Sequence, residues 1–189
     1  MQKLILLEIS ARHIHLSKNS LEDLFCKNYQ LKKLKDLSQT GEFAAQETVD
    51  VVYQGEVIKN VRIIGPVRDN SQLELTLTDC RKLKLLAPVK LSGDLKGAPL
   101  VEVKRGRRKS IARAIVAKRH LHIDPLTAKN YKLKNNQKVS IAIQSLTRAL
   151  VFQEVVVRVK EGYKLAAHID TDEANAAGLL QCSVCRLIR

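Results

Sequence analysis

Short strand-like segments follow one another at close spacing along almost the whole of this chain, separated by turn residues and only brief helical stretches. That rhythm restricts the fold more than any other feature. Lys3 to Ile9 is an aliphatic run with strand character, and Val49–Tyr53 and Val57–Ile64 flank a Gln54-Gly55 turn as a hairpin. Gly65-Pro66 then breaks the pattern. Gln72 to Thr78 alternates with period two, which sets Leu73, Leu75 and Leu77 on one face and Gln72, Glu74 and Thr76 on the other. Leu100–Lys104, Ser110–Ala117, Lys138–Gln144, Ala149–Phe152, Glu154–Val159 and Leu165–Ile169 continue the series, while Leu31 to Asp36 is lysine-rich and ambiguous. Helical signals are short. Ser17 or Ser20 caps a segment with Leu21, Leu24 and Phe25 on one face, and Asp79–Leu83 makes a turn. Asp124-Pro125 opens another helix, and Asp170 to Gly178 is a capped helix closed by glycine. The expected fold is mainly β with short α-helices, built as small β-barrels and not as a parallel βαβ sheet.

Composition narrows the function classes. A chain of 189 residues can bury the core of one domain or of two small ones. With 4% aromatics and no Trp, that core must be Leu, Ile, Val and Ala. No apolar run approaches the roughly 20 residues that cross a bilayer. The first apolar run is broken by Glu8 too soon for a secretory signal, so the expected location is the cytoplasm, with no membrane partner. A net charge of +14 suits a polyanionic ligand such as nucleic acid, a nucleotide-bearing cofactor or phosphate. Its densest cluster, Lys104 to Lys109, reads as a solvated turn between two strands. Without an aromatic stacking platform or a recognition motif, nucleic acid is not an expected partner. Cys26 and Cys80 are isolated and expected to be buried, and Cys182-x-x-Cys185 lacks the second ligand pair of a structural zinc site.

The histidines carry the chemistry. Four of the five lie in two Arg-His-aliphatic-His units, Ser10–Ser17 and Ala117–Asp124, and the fifth, His168, opens an acidic stretch. The two pairs stand at matching offsets, as an internal echo. In an extended segment, His-x-His projects both imidazoles to one side, where they can converge on a cation. Neutral imidazoles with a nearby carboxylate favour a borderline metal; zinc, iron, cobalt and nickel all satisfy the spacing. Five histidines and one carboxylate suffice for two three-ligand sites. Glu74, six residues after Arg68, is the first carboxylate to test, against the plainer reading of an exposed strand glutamate.

Five blocks then resemble one family: Ser-x-Arg-His-x-His-Leu-Ser; Val-Arg-Ile-Ile-Gly-Pro-Val-Arg with Gln-Leu-Glu-Leu after it; Ser-Gly-Asp-Leu-Lys-Gly; Ala-Lys-Arg-His-Leu-His; and His-Ile-Asp-Thr-Asp-Glu-Ala-Asn-Ala-Ala-Gly. In the same order, these are similar to phosphotransacylases of the propanediol-utilisation type. The resemblance implies phosphate acetyl- or propanoyltransfer, that is, acyl-CoA plus phosphate exchanging with acyl phosphate plus CoA. It implies two interleaved β-barrels, 1–11 plus 118–189 and 12–117, with the active site between them. It also implies two metal ions, usually zinc. His13, His15 and Glu74 would hold the one that takes the CoA sulfur, and His120, His122 and His168 the one that faces phosphate. By position, Arg68 would bind phosphate, and Ile9, Ser10, Ala11, Arg62 and Asn175 would contact CoA. A homodimer is compatible with this reading. The strand that begins almost at Met1 leaves no evident N-terminal microcompartment-targeting extension, which points to a free cytosolic enzyme. Two other readings compete: a metal-dependent hydrolase of an acyl or phosphate ester, and a basic nucleic-acid-binding module with structural histidines.

Overall fold

The computed structural model describes residues 4–145 and 147–188. It contains two compact units, Met1–Ala11 with Lys118–Arg189, and Arg12–Ala117. The first strand, β1 (Leu4–Ser10), belongs to the former.

The Arg12–Ala117 unit runs β2 (His13–His15), α1 (Lys18–Leu24), β3 (Lys33–Asp36), β4 (Phe43–Tyr53), β5 (Glu56–Gly65), β6 (Gln72–Leu75), α2 (Leu77–Leu83), β7 (Val89–Lys90), β8 (Leu100–Arg105) and β9 (Arg108–Ala117). Six of its strands close on themselves: β2 pairs β5 and β6, β6 pairs β9, β9 pairs β8, β8 pairs β4, and β4 returns to β5. Strands β3 and β7 extend the sheet at β4 and β9. Closure leaves few free edges on strands this short. Ile14, Val51, Ile63, Leu73, Val103 and Ala114 fill the interior, joined by Leu21 and Leu24 of α1. The β4–β5 hairpin turns on Gln54 (φ 47°) and Gly55 (φ 88°), the pair of positive φ angles that a two-residue turn with right-handed strand twist demands.

The other unit contributes β10 (His120–Ile123), α3 (Pro125–Asn130), β11 (Lys138–Ile143), β12 (Leu150–Val159), β13 (Ala166–Asp170), α4 (Thr171–Ala176) and β14 (Ser183–Ile188). With β1 these close a second barrel in the order β1-β13-β10-β12-β11-β14. Leu7, Leu121, Ile141, Val157 and Ala167 lie at its centre.

The two barrels have one topology. Strand β2 is parallel to β5 and antiparallel to β6, and β6 is parallel to β9; the remaining three junctions are antiparallel. Strand β10 repeats this with β12 and β13, and the parallel neighbour of β13 is β1. Helices α1 and α3 follow the His-x-His strands, and α2 and α4 follow β6 and β13. The echo seen in the sequence is therefore an internal repeat whose last strand, in one copy, comes from the far end of the chain.

Several local expectations change. The alternating segment ends as a strand at Leu75, because Thr76 caps α2 in a reciprocal capping box with Asp79, and Leu77 becomes a half-exposed helical residue. Its polar face is not solvated: Gln72 and Glu74 are both buried. Ala149–Phe152 and Glu154–Val159 are one strand, interrupted by a bulge. Glu154 takes φ 60°, and the register shifts between Val139 and Ile141 on the facing strand. Cys185 of the Cys-x-x-Cys pair lies in β14, which pairs both β1 and β11, and Cys182 precedes the strand, exposed. Cys80 is buried as expected, but Cys26 is exposed just past the end of α1. The basic turn is the β8–β9 hairpin. There Lys104 and Lys109 reach Glu102, Arg105 lies over the Phe25 ring, and Arg108 donates to the Phe25 carbonyl, so much of its charge is engaged within the unit.

Candidate functional site

In the Arg12–Ala117 unit, period two sends His13 and His15 to one side of β2, with Ile14 in the core between them. Antiparallel pairing sets Glu74 of β6 directly opposite His13. Backbone register thus delivers the third group, and the ligand-type atoms of His13, His15 and Glu74 lie within 4.8 Å of one another. All three residues are buried. His13 Nε2 stands 3.6 Å from Glu74 Oε2. His15 Nδ1 donates to the Ile64 carbonyl at 3.1 Å, which fixes the tautomer and turns the Nε2 lone pair toward the cluster. Burial, then the neighbouring His13 and Arg68, lowers the His15 pKa to about 3, so the ring is neutral at physiological pH.

The same construction recurs on β10. His120 pairs with His168 of β13 across the equivalent rung, and His122 follows two residues on. These three also bring their ring nitrogens within 4.8 Å. His120 Nδ1 donates to the Lys118 carbonyl at 2.9 Å, which leaves Nε2 as the lone-pair nitrogen of the ring. His122 is pushed down to about 2 by burial and by His120 and His168. Both its ring nitrogens are buried without a hydrogen-bond partner among the described residues. A buried imidazole N–H or lone pair left this way is costly, and a cation relieves the lone pair. Neutral imidazoles, preset tautomers and an unsatisfied buried nitrogen are what a borderline divalent ion requires of its donors, so the residues present fit one in each unit.

Arg68 lies in the same unit as the first cluster. Its backbone N–H donates to Leu16 O at 2.9 Å, and its guanidinium donates to Ser92 Oγ at 3.0 Å and to Glu42 Oε1 at 3.2 Å. The side chain is one-third exposed, so the fork remains reachable by an anion. Arg62, opposite His13 on β5, gives its guanidinium to the carbonyls of Ala45 and Gln46. Ile9 and Ser10 end β1 opposite Ile169 and Asp170, Ala11 follows exposed, and Asn175 is exposed on α4.

Four features of the site escaped the sequence. Gln72 donates to Glu74 Oε1 at 2.5 Å and to Ser92 Oγ at 2.8 Å, and its own oxygen accepts from Gly93 N–H at 2.8 Å. A chain Glu74–Gln72–Ser92–Arg68–Glu42 results. Glu8 of β1 stands opposite His168, carboxylate to Nε2 at 3.5 Å. Arg12 binds Asp79 through two contacts of 2.9 and 3.1 Å, and Arg119 binds Glu173 at 2.9 Å. Both arginines stood in the recognised repeat, but no signal in the sequence marked their carboxylate partners beyond the capping positions.

Two closed six-strand barrels, each carrying a candidate metal triad with two donors on one rung and the third two residues on, define the class: a two-barrel protein with two potential cation sites. Comparison with known proteins then gives the family. The family model described as phosphate propanoyltransferase matches residues 6–180, and the chain belongs to that family. It is 42% identical over 177 residues to the phosphate propanoyltransferase of Thermotoga maritima, covering 93% of this chain and 84% of that one. Over 180 residues it is 43% identical to the Shewanella putrefaciens enzyme of the same name (94% and 85% covered), and over 179 residues 42% identical to that of Salmonella typhimurium (94% and 85%). Among the described residues, no helix is long and apolar enough to cross a membrane.

Proposed function

We propose that this chain is a metal-dependent phosphate acyltransferase that exchanges a short acyl group, acetyl or propanoyl, between CoA and phosphate. The observation that carries this reading is the triad of His13, His15 and Glu74 joined through Gln72 and Ser92 to Arg68, in a member of the phosphate propanoyltransferase family. Hydrolysis of a simple ester would need no fixed anion fork beside the cluster.

In the forward direction a phosphate oxygen attacks the thioester carbonyl carbon. A C–O bond forms, the C–S bond breaks, and the electron pair leaves on sulfur as the CoA thiolate. Phosphate is its own nucleophile, so no acylated residue is needed. Arg68 presents parallel N–H donors to two phosphate oxygens. Ser92 and Glu42 hold that fork in place; an incoming phosphate competes with the Glu42 carboxylate for it. His13, His15 and Glu74 would hold one ion, and His120, His122 and His168 the other. When bound, zinc or a similar ion supplies Lewis-acid polarisation of the carbonyl and favours a soft sulfur leaving group. An ion held by the first triad would serve the sulfur end, and one held by the second the phosphate end. Ile9, Ser10, Ala11, Arg62 and Asn175 are the proposed CoA contacts, and the net charge of +14 raises the local concentration of both anionic substrates.

The test incubates zinc-loaded protein with acetyl-CoA and propanoyl-CoA and follows thiol release and acyl phosphate formation. Release that depends on phosphate, with stoichiometric acyl phosphate, is expected. Release without phosphate would assign a hydrolase instead, and no release from either thioester by zinc-loaded protein would overturn the reading.

A further inference from the structure

The arginine that begins each Arg-His-x-His unit has no place among the ligands, yet it is engaged in the same way twice. On β2 the ladder to β6 ends at the His13–Glu74 rung; the next residues, Arg12 and Leu75, are not paired with each other, although Leu75 stays paired with Val116 of β9. On β10 the ladder to β13 ends at His120–His168, with Arg119 just outside it. Each candidate metal triad therefore has two of its donors on the last rung of a ladder of three pairs. No backbone pair beyond that rung holds the two donors' strands to each other, and loosely held donors make a poor ligand set.

The side chains close that rung from outside. Two residues beyond Glu74, Thr76 caps α2, and Asp79 accepts from the Thr76 N–H at 3.3 Å while receiving both contacts from Arg12. Two residues beyond His168, Asp170 caps α4, and Glu173 accepts from the Asp170 N–H at 3.1 Å while receiving Arg119. The route is the same in both units: arginine before the first histidine, carboxylate at the third helical position, backbone of the cap, third donor. Only the details differ. Asp79 is 2% exposed and is gripped by two guanidinium nitrogens, whereas Glu173 takes one and Arg119 also lies over the Phe152 ring. A surface ion pair is worth little, but a buried carboxylate that also caps a helix is held in a single geometry.

We infer that Arg12–Asp79 and Arg119–Glu173 are positioning pairs, each latching the terminal rung on which the third ligand of its triad stands. The inference rests on the metal reading above, because it assigns the latches a task toward a bound ion. Loss of a partner outside the ligand set costs metal sites roughly 10- to 100-fold in affinity, and that is the size of effect expected here.

The experiment uses the full chain and Co2+, whose visible absorption reports ligand geometry. In a His122→Ala background, so that only the first triad is read, Arg12→Gln and Asp79→Asn should each weaken Co2+ about 10- to 100-fold and change the absorption bands. Asn at position 79 can still accept from the Thr76 N–H, which keeps the cap. The double variant should be no worse than the poorer single one. In a His13→Ala background, Arg119→Gln should do the same for the second triad, while Arg12→Gln has no effect on it. Parent-like affinity and spectrum, or a lowered unfolding temperature with both unchanged, would overturn the latch. Amide exchange on metal-free protein separates the two levels of the argument. Peptides covering residues 10–16 and 70–77 should exchange at least tenfold faster in Arg12→Gln while those covering β8 do not, and unchanged exchange overturns the latch. A parent chain that binds no Co2+ at all would overturn the metal reading, with the exchange result still deciding the latch.

Discussion

Replacing Gln72 by Met tests the chain of hydrogen bonds that ties the first triad to Arg68. Met fills nearly the same space at a position only 2% exposed, so the change removes polar atoms without opening a cavity. Gln72 makes three bonds, and the Gly93 N–H fixes which end of the amide faces which partner. The bond to the Glu74 carboxylate contributes about 1.5–3 kcal/mol as a charge-assisted contact, and those to Ser92 and Gly93 about 1 kcal/mol each. Their sum overstates the loss, because the three share one side chain and Ser92 retains Arg68. A destabilisation of about 3 kcal/mol is the expected value, read by urea unfolding of metal-free protein at unchanged m. The functional consequence is separate. Without Gln72 the Glu74 carboxylate loses the amide donor at Oε1, and Ser92 loses one of the contacts that hold it beside the Arg68 fork. Zinc affinity at the first site should fall about tenfold or more, and KM for phosphate should rise. A loss under about 1 kcal/mol, with zinc affinity and phosphate KM both unchanged, would refute the reasoning that this network carries the site.

Four further outcomes are expected. His122→Ala should reduce bound zinc from two ions to one per chain by elemental analysis, since it removes the ring whose nitrogens are buried without partners. Stripping the parent of zinc should lower its apparent stability by about 2.7 kcal/mol for each occupied site, relative to protein held at a hundred times the dissociation constant, measured by thermal unfolding with and without chelator. Arg68→Lys keeps the charge but loses the planar fork, so phosphate KM should rise by about tenfold while zinc content stays at parent level in the same preparation. At Gly65, an added methyl would overlap the Phe43 ring across the β4–β5 pair, and Gly65→Ala should cost about 1–3 kcal/mol by denaturant titration.

What the sequence disclosed followed its periodicities. His-x-His in an extended segment forces both rings to one side, and the structure has them so; brief capped helices between short strands pointed to barrels, and two closed ones are found. Glu74 shows the boundary. Period two correctly grouped it with Gln72, but only the pairing with His13, a contact between distant segments, turns that face inward. Gln72, Ser92, Glu42 and the two latch carboxylates were illegible for the same reason, since each acquires meaning from a partner many residues away. Glu154 misled because a residue at positive φ breaks the alternation while the strand goes on. Cys26 misled because composition places a free thiol inside, whereas the chain leaves α1 there and exposes it.

The borrowed strand has a consequence for synthesis. Within the Arg12–Ala117 barrel every strand follows within one continuous stretch, so that unit can close while the rest of the chain is still being made. Strand β1 has no such neighbours at hand: its partners are β13 and β14. About 170 residues separate it from β14, and at translation rates of roughly 5–20 residues per second it waits some 10–30 seconds for that edge. During that interval an aliphatic strand, Leu-Ile-Leu-Leu, has both of its hydrogen-bonding edges open. The order of translation therefore makes the shared barrel the later of the two to mature, and β1 the segment whose protection by a chaperone would do most for the yield of folded protein.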